Sequence, residues 1–491
     1  MSKKKGWFSR GRANQLPEEH IDWIVNPVTH FVKIESAAGV VLFITAVVAI
    51  ALANSPLSDT FARLWDISFG ISLGDLRLER SLHGWINDAA MTLFFFLISL
   101  ELKRELILGE LREPKQAMLS VFAALGGMVV PAAIYLFLQM GEPSEQGWGT
   151  VMATDTAFVM GCLALLGKGV PKSLRIFMLT LAIVDDVGAI MVVAIGYSEG
   201  LNWFAVFYAL LGFAVIKVMS FVGIRSITLF IMVGAMIWLA VDASGIHATL
   251  AGVILGLMTP TQKWVNENRL HAIMDVVITA TPGGHQDANL VARHALKTAE
   301  AAAREALSPV ERLEMLLHPW VGFVVLPVFA FANAGVSFSW QNIEPSLTLA
   351  IFLGFVLGKP LGILLFTYAA VKMGIAALPN DLKWPMVLGG GMLAGIGFTM
   401  ALFIANLAFV PGQFESAKLG IFCASIVSAL LGMVFIRYFT DAKPKGNHII
   451  YKPNDNQPLD LSATSFSRKK EQNPKELVGS LQLKYEGFRR E

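Results

Sequence analysis

Apolar residues in this chain come in long, nearly unbroken runs separated by short polar clusters. That is neither the period-2 alternation of half-buried strands nor the single apolar stripe of a soluble helix. The runs fall at roughly 37–53, 85–102, 117–139, 148–166, 174–197, 203–222, 227–241, 246–261, 315–337, 347–372, 385–409 and 417–438. Most approach the about 20 residues that carry an α-helix across a bilayer core. The pattern predicts an all-α polytopic membrane protein of about twelve transmembrane helices. The weak, ten-residue alternating signature of a membrane β-barrel is absent.

Three segments fall outside the runs. Residues 1–36 are basic and polar and read as a cytoplasmic N-terminal segment. An amphipathic piece from Ile21 to Ile34 either lies along the membrane surface or simply leads into the first span. No short apolar core with a small-residue cleavage site precedes that span, so it is expected to be retained. Residues 262–314 form a cytoplasmic insert, with an Ala/Glu-rich stretch from His294 to Leu307 that favours helix. Residues 441–491 read as a disordered cytoplasmic tail, leaving 37–440 as the membrane-spanning domain.

Charge placement sets the orientation. Lys103, Arg104, Arg112 and Lys115 follow the second run, Lys168, Lys172 and Arg175 the fourth, and Arg437, Lys443 and Lys445 the twelfth. Alternate loops, such as Gly141–Glu145 and Asp242–Ser244, are poor in Lys and Arg. The positive-inside rule then puts both termini in the cytoplasm. The loop at 54–84 breaks the pattern with Arg63, Arg77 and Arg80, although acids offset them in number. Only 15% of the 491 residues are charged and 55% are hydrophobic, against about 25% charged in soluble domains. A net charge of +2 makes no case for nucleic acid. Cys162 and Cys423 both lie in runs, so no disulfide framework is implied.

Against this apolar background four charges stand out. Asp185 and Asp186 are adjacent inside the run from about Ile176 to Ala194, Asp155 follows Thr154 in the fourth run, and Lys359 lies in the tenth. A single carboxylate at membrane depth costs several kcal/mol, and two neighbours repel, so something must bind, protonate or pair with them. Hard cations such as Na+ and Li+ prefer oxygen ligands, and the same oxygens titrate, so protons and cations compete for one site. The alternative is a satisfied structural acid pair. Small residues around Asp155 and the dense glycines from Gly389 to Gly397 predict two interrupted helices, with unwinding near Gly395 to Thr399. Close packing of small residues is the other explanation for those glycines. Asp155 suits the partial positive charge of a broken helix end and Lys359 the negative one. Lys359 is too far from either end of its run to snorkel, so pairing with Asp185 is expected, or else a helix-end role before Pro360. Asp88, Glu101, Glu105, Glu314 and His318 could form an acidic funnel whose titration gates entry, or be ordinary charged helix ends. His247 reads as a capping or packing histidine rather than a functional one.

These residues resemble the NhaA family of sodium/proton antiporters. The resemblance rests on Ala153-Thr154-Asp155-Thr156-Ala157-Phe158, Ala182-Ile183-Val184-Asp185-Asp186-Val187-Gly188, Gly245-Ile246-His247-Ala248-Thr249, Leu317-His318-Pro319-Trp320, Phe331-Ala332-Asn333-Ala334-Gly335, Gly358-Lys359-Pro360-Leu361-Gly362 and Gly395-Ile396-Gly397-Phe398-Thr399, in collinear order. It implies an inverted-topology repeat in which the fourth and eleventh spans are broken and cross. It further implies cation and proton binding at Asp185 and Asp186, helix-end compensation by Asp155 and Lys359, and pH sensing by Glu101, Glu105, Glu314 and His318. Met315 stands where some members have a histidine.

The resemblance therefore implies an electrogenic, pH-regulated Na+(Li+)/H+ antiporter of the bacterial inner membrane. No enzymatic activity and no cofactor are expected; the partners are Na+, Li+, H+ and the lipid bilayer, with room for a homodimer. Two rivals remain. A sodium-coupled symporter would need a polar cavity for an organic substrate, which the spans do not supply. An intramembrane aspartyl protease would need two facing aspartates sharing a proton, and its Gly-x-Gly-Asp pattern is missing.

Overall fold

The computed structural model describes residues 35–441, apart from 74–75, 110–111, 198–199, 225, 264, 266, 280–285 and 336–342. The amphipathic piece at 21–34 and nearly all of the 441–491 tail lie outside the described residues. The elements in order are α1 (Glu35–Ala53), α2 (Ser58–Trp65), the hairpin β1 (Ser68–Leu73) and β2 (Leu76–Ser81), α3 (Leu82–Ile107), α4 (Pro114–Gln139) and a 3-10 helix at Glu145–Met152. Then come α5 (Thr156–Leu165), α6 (Lys172–Gly196), α7 (Trp203–Val222), α8 (Ile227–Ala243), α9 (Thr249–Met258), α10 (Glu267–Thr279) and α11 (Gln286–Glu305). The last five are α12 (Pro309–Asn333), α13 (Pro345–Lys372), α14 (Trp384–Ala394), α15 (Phe398–Ala408) and α16 (Pro411–Asp441).

The protein is a polytopic helical bundle. Eight stretches among the described residues are long and apolar enough to cross a bilayer, or ten if the bent pairs α1–α2 and α14–α15 each count as one. Every expected apolar run carries a helix, but α8 and α9 have only 17 and 10 residues. At 1.5 Å per residue they fall short of a full crossing by themselves. The stretch between the first two runs, expected to be a loop, holds α2 and the antiparallel hairpin, in register from Ser68 opposite Ser81 to Leu73 opposite Leu76. The Arg80 guanidinium there bonds both Asp88 on α3 and Asp242 on α8, and sits 5.7 Å from the Trp238 ring. That double ion pair accounts for one of the basic residues that broke the charge pattern.

Burial ranks the helices. The apolar window of α6 is 61% buried and that of α7 only 17%, so α6 is central and α7 peripheral. Phe204 and Phe221 stand almost fully exposed on α7, as expected of a surface whose natural solvent is lipid. Close approach near the centre depends on glycine. A Cβ on Gly126 of α4 would lie 2.1 Å from the Gly362 carbonyl oxygen of α13, and one on Gly362 would lie 2.0 Å from the Gly126 carbonyl oxygen. Gly354 and Gly358 continue the same four-residue spacing and abut Val151 and Pro131. Pro360 lacks the N–H that an α-helix would direct at residue 356. The turn before it, Gly354–Gly358, winds instead as a π-helix. Lys359 begins the α-helix that follows.

A side chain at Gly362 has no room, so Gly362→Leu should force α4 and α13 apart. Overpacking typically costs about 1–3 kcal/mol, and backbone on the other side leaves less scope for relaxation. The thermal unfolding midpoint of the detergent-purified protein should fall by several degrees, while Gly412→Ala, in open space, should leave it unchanged.

Candidate functional site

Adjacent residues on an α-helix point about 100° apart, and Asp185 and Asp186, near the middle of α6, are divided in that way. The Asp185 Oδ2 accepts a hydrogen bond of 2.7 Å from the Lys359 Nζ of α13, and both side chains are 0% exposed. Asp186 turns towards the start of α5, where the Thr156 hydroxyl donates to its Oδ2 at 3.3 Å. The Oδ1 atoms of both aspartates are buried and have no hydrogen-bond partner among the described residues. Each carboxylate thus keeps a buried oxygen without a donor, the chemistry of a candidate site for a proton or a cation.

Beside this pair two interrupted helices meet. The 3-10 helix ends at Met152 and α5 begins at Thr156, leaving Ala153–Asp155 outside any helix; α14 ends at Ala394 and α15 begins at Phe398, with a bend of 47°. The extended Ala153–Asp155 backbone binds the turn between α14 and α15 there. The Asp155 amide donates to the Ile396 carbonyl at 2.7 Å, and the Thr154 hydroxyl donates to the Ala394 carbonyl at 3.0 Å. The expected unwinding thus covers Gly395 to Gly397, and Thr399 belongs to the first turn of α15.

Each break exposes helix ends that water would otherwise satisfy. Asp155 caps two of them at once. As N-cap of α5 it accepts from the Phe158 amide at 3.2 Å, and its other oxygen accepts from the Thr399 amide at 3.0 Å and the Thr399 hydroxyl at 2.5 Å. One carboxylate therefore meets the partial positive charge of both helix N-termini. Lys359 does the converse. Its ammonium donates to the Met152 carbonyl at the end of the 3-10 helix, to the Thr154 hydroxyl at 2.7 Å, and to Asp185. Three donors meet three acceptors, so the fully buried ammonium is completely bonded.

Two of the residues expected to sense pH share one guanidinium. Arg104 bridges Glu105, at 2.8 Å, and Glu314, which joins α3 to α12; both acids are buried. Glu101 lies one turn before Glu105, while His318 is exposed one turn after Glu314. Sequence reasoning placed the acids together but missed Arg104 as the element that unites them. It also missed Asn333, whose amide joins Asn87 at 2.9 Å and His83 at 3.0 Å between α3 and α12. His247 packs with its Nε2 2.8 Å from the Tyr197 carbonyl, as a structural histidine would. Among the described residues no three or more His, Cys, Asp or Glu side chains are grouped to hold a metal ion. A cation at the aspartate pair would complete its shell with hydroxyls, carbonyls or water.

Comparison with known proteins shows the family. The family model described as Na+/H+ antiporter 1 matches residues 29–436. The Na+/H+ antiporter NhaA 2 of Vibrio vulnificus is 62% identical over 87% of this chain and 95% of its own. The Na+/H+ antiporter NhaA of Rhizobium meliloti is 53% identical over 87% and 98%. Among solved structures, the sodium proton antiporter MjNhaP1 of Methanocaldococcus jannaschii aligns with a TM-score of 0.43 and 11% identity, covering 86% of this chain and 99% of that one. The chain belongs to the NhaA family of sodium/proton antiporters.

Proposed function

We propose that this chain is an electrogenic Na+(Li+)/H+ antiporter of the bacterial inner membrane, expelling sodium in exchange for external protons by alternating access. The observation that carries this reading is the pair of adjacent, buried carboxylates, each with an unpartnered oxygen, beside two crossing broken helices. Deprotonation opens Asp185 and Asp186 to Na+ from the cytoplasmic side. The loaded site turns outward, protons displace the ion, and the protonated site returns. Either partner occupies the oxygens but never both, which enforces exchange. Protons carried on two carboxylates against one monovalent cation leave a net charge crossing the membrane, so the cycle responds to voltage. Lys359 must loosen from Asp185 when that carboxylate takes a cation or a proton, because its charge partner is then satisfied elsewhere.

Regulation by pH is assigned to the Arg104–Glu105–Glu314 bridge with Glu101 and His318 nearby, and both termini to the cytoplasm. The domain reading stands with this: a short N-terminal segment, a twelve-span transporter domain carrying the 262–314 insert, and a C-terminal tail. No cofactor takes part; a homodimer is compatible with the reading. The two helices of the insert pack on each other and close through the Val265 amide, 3.3 Å from the Glu305 carbonyl. The protease alternative gains nothing from the geometry, since Asp155 is committed to Thr399 and Phe158 while Asp185 binds Lys359.

Everted vesicles energised to hold a pH gradient should discharge it on addition of Na+ or Li+, and Asp185→Asn and Asp186→Asn should each abolish the response. Loss in neither variant, with wild type active, would move the site elsewhere. Competition with protons fixes the sign of the pH dependence. While the protonated form predominates, raising the pH by one unit should lower the apparent KM for Na+ about tenfold per proton displaced.

The capping roles have their own outcome. Asp155→Ala strips two helix N-termini of a partner, and caps are worth about 0.5–2 kcal/mol each. Its thermal midpoint should fall by several degrees, with Asp155→Asn intermediate because the amide keeps one acceptor. Equal midpoints for Asp155→Ala and wild type would remove Asp155 from the architecture.

A further inference from the structure

We propose that the Thr156 hydroxyl is a ligand of the transported cation at Asp186. This rests on the assignment of Asp185 and Asp186 as the ion site and adds a residue to it. The two aspartates differ in what neutralises them. Asp185 has the Lys359 ammonium, whereas Asp186 has only the Thr156 hydroxyl and a buried, unpartnered Oδ1. The uncompensated charge, and hence the attraction for a cation, lies at Asp186.

The Thr156 contact has the spacing of shared ligands rather than of a good hydrogen bond. Hydroxyl-to-carboxylate bonds run about 2.5–2.8 Å, and this one is 3.3 Å. Na+ is close to Ca2+ in radius, and oxygens about 2.4 Å from such an ion at a right angle lie about 3.4 Å apart. Rotation of the hydroxyl hydrogen turns a lone pair towards the ion without moving the oxygen.

The neighbouring hydroxyl is not free for this. Thr154 donates to the Ala394 carbonyl, accepts from Lys359, and is 0% exposed. Thr156 is part-exposed, and its hydroxyl bonds Asp186 as its one partner among the described residues. It has no capping duty either, because the α5 N-cap bond belongs to Asp155. Hard cations take several oxygens, and with no third acid grouped at the pair this hydroxyl is the side-chain oxygen already in place.

The test uses purified full-length protein in liposomes carrying a pH-sensitive dye, at a fixed alkaline pH. Thr156→Val keeps the branched shape and deletes the oxygen; Thr156→Ser keeps the oxygen. Thr156→Val should raise the apparent KM for Na+ about tenfold, the scale of one lost polar contact, with maximal rate within about twofold. Thr156→Ser should restore KM to within about twofold of wild type. An unchanged KM in Thr156→Val, while Asp186→Asn abolishes exchange, overturns the ligand role and leaves the site standing. A fall in maximal rate at unchanged KM, or a defect that serine does not rescue, marks a packing role and overturns it too. Wild-type exchange by Asp186→Asn would instead sink the site assignment, and this ligand with it.

Discussion

The fold depends on one electrostatic constraint: helix ends that stop inside an apolar bundle must find their counter-charges in the protein. Two spans are interrupted beside each other, and their freed amides and carbonyls have no water to turn to. Asp155 answers the amide ends of α5 and α15, and Lys359 answers the carbonyl end at Met152. Neither charge would be tolerated at that depth without the ends, and neither break would be tolerated without the charges. The remaining architecture serves to hold these groups in register.

Helix packing meets that requirement through glycine and proline. Lys359 reaches the crossing because α13 lies against α4 closely enough for Gly126 and Gly362 to touch backbone to backbone. The π-wound turn before Pro360 sets where on that helix the lysine emerges. The unbranched contact therefore controls a charge placement one turn away. Substitution of those glycines would act on the candidate site through distance, not through chemistry.

Much of this was legible in the sequence because the signals were extreme. An aspartate pair or a lone lysine within an apolar run is costly enough that its placement alone marks a candidate site. The glycine density from Gly389 to Gly397 marked the α14–α15 break for the same reason. What escaped was carried by groups without a sequence letter or by weak patterns. The Met152, Ala394 and Ile396 carbonyls are backbone, so no residue type announces that they receive Lys359, Thr154 and the Asp155 amide. The hairpin is a short period-2 stretch overshadowed by the apolar runs beside it. Arg80 read as a charge on the wrong side of the membrane because charge counting cannot see its two aspartate partners, one of them 162 residues away. Against the expected twelve spans, the described residues hold eight to ten of full length, since α8 and α9 are apolar without being long.

The same ammonium that closes the helix end also holds Asp185, and this ties occupancy to architecture. Lys359 divides its three donors among Met152, Thr154 and Asp185. When Asp185 is charged, the lysine is drawn to it. When a proton or cation neutralises Asp185, that attraction is lost and the ammonium's remaining partners are the carbonyl end and the Thr154 hydroxyl. Because Thr154 is itself bonded to the Ala394 carbonyl, the shift reaches the second broken helix through two hydrogen bonds. A charge change of one unit at Asp185 thus redistributes force at the junction of both interrupted spans. Adjacent carboxylates in unlike settings can divide the labour, one holding the ion and the other reporting to the helices that it is held.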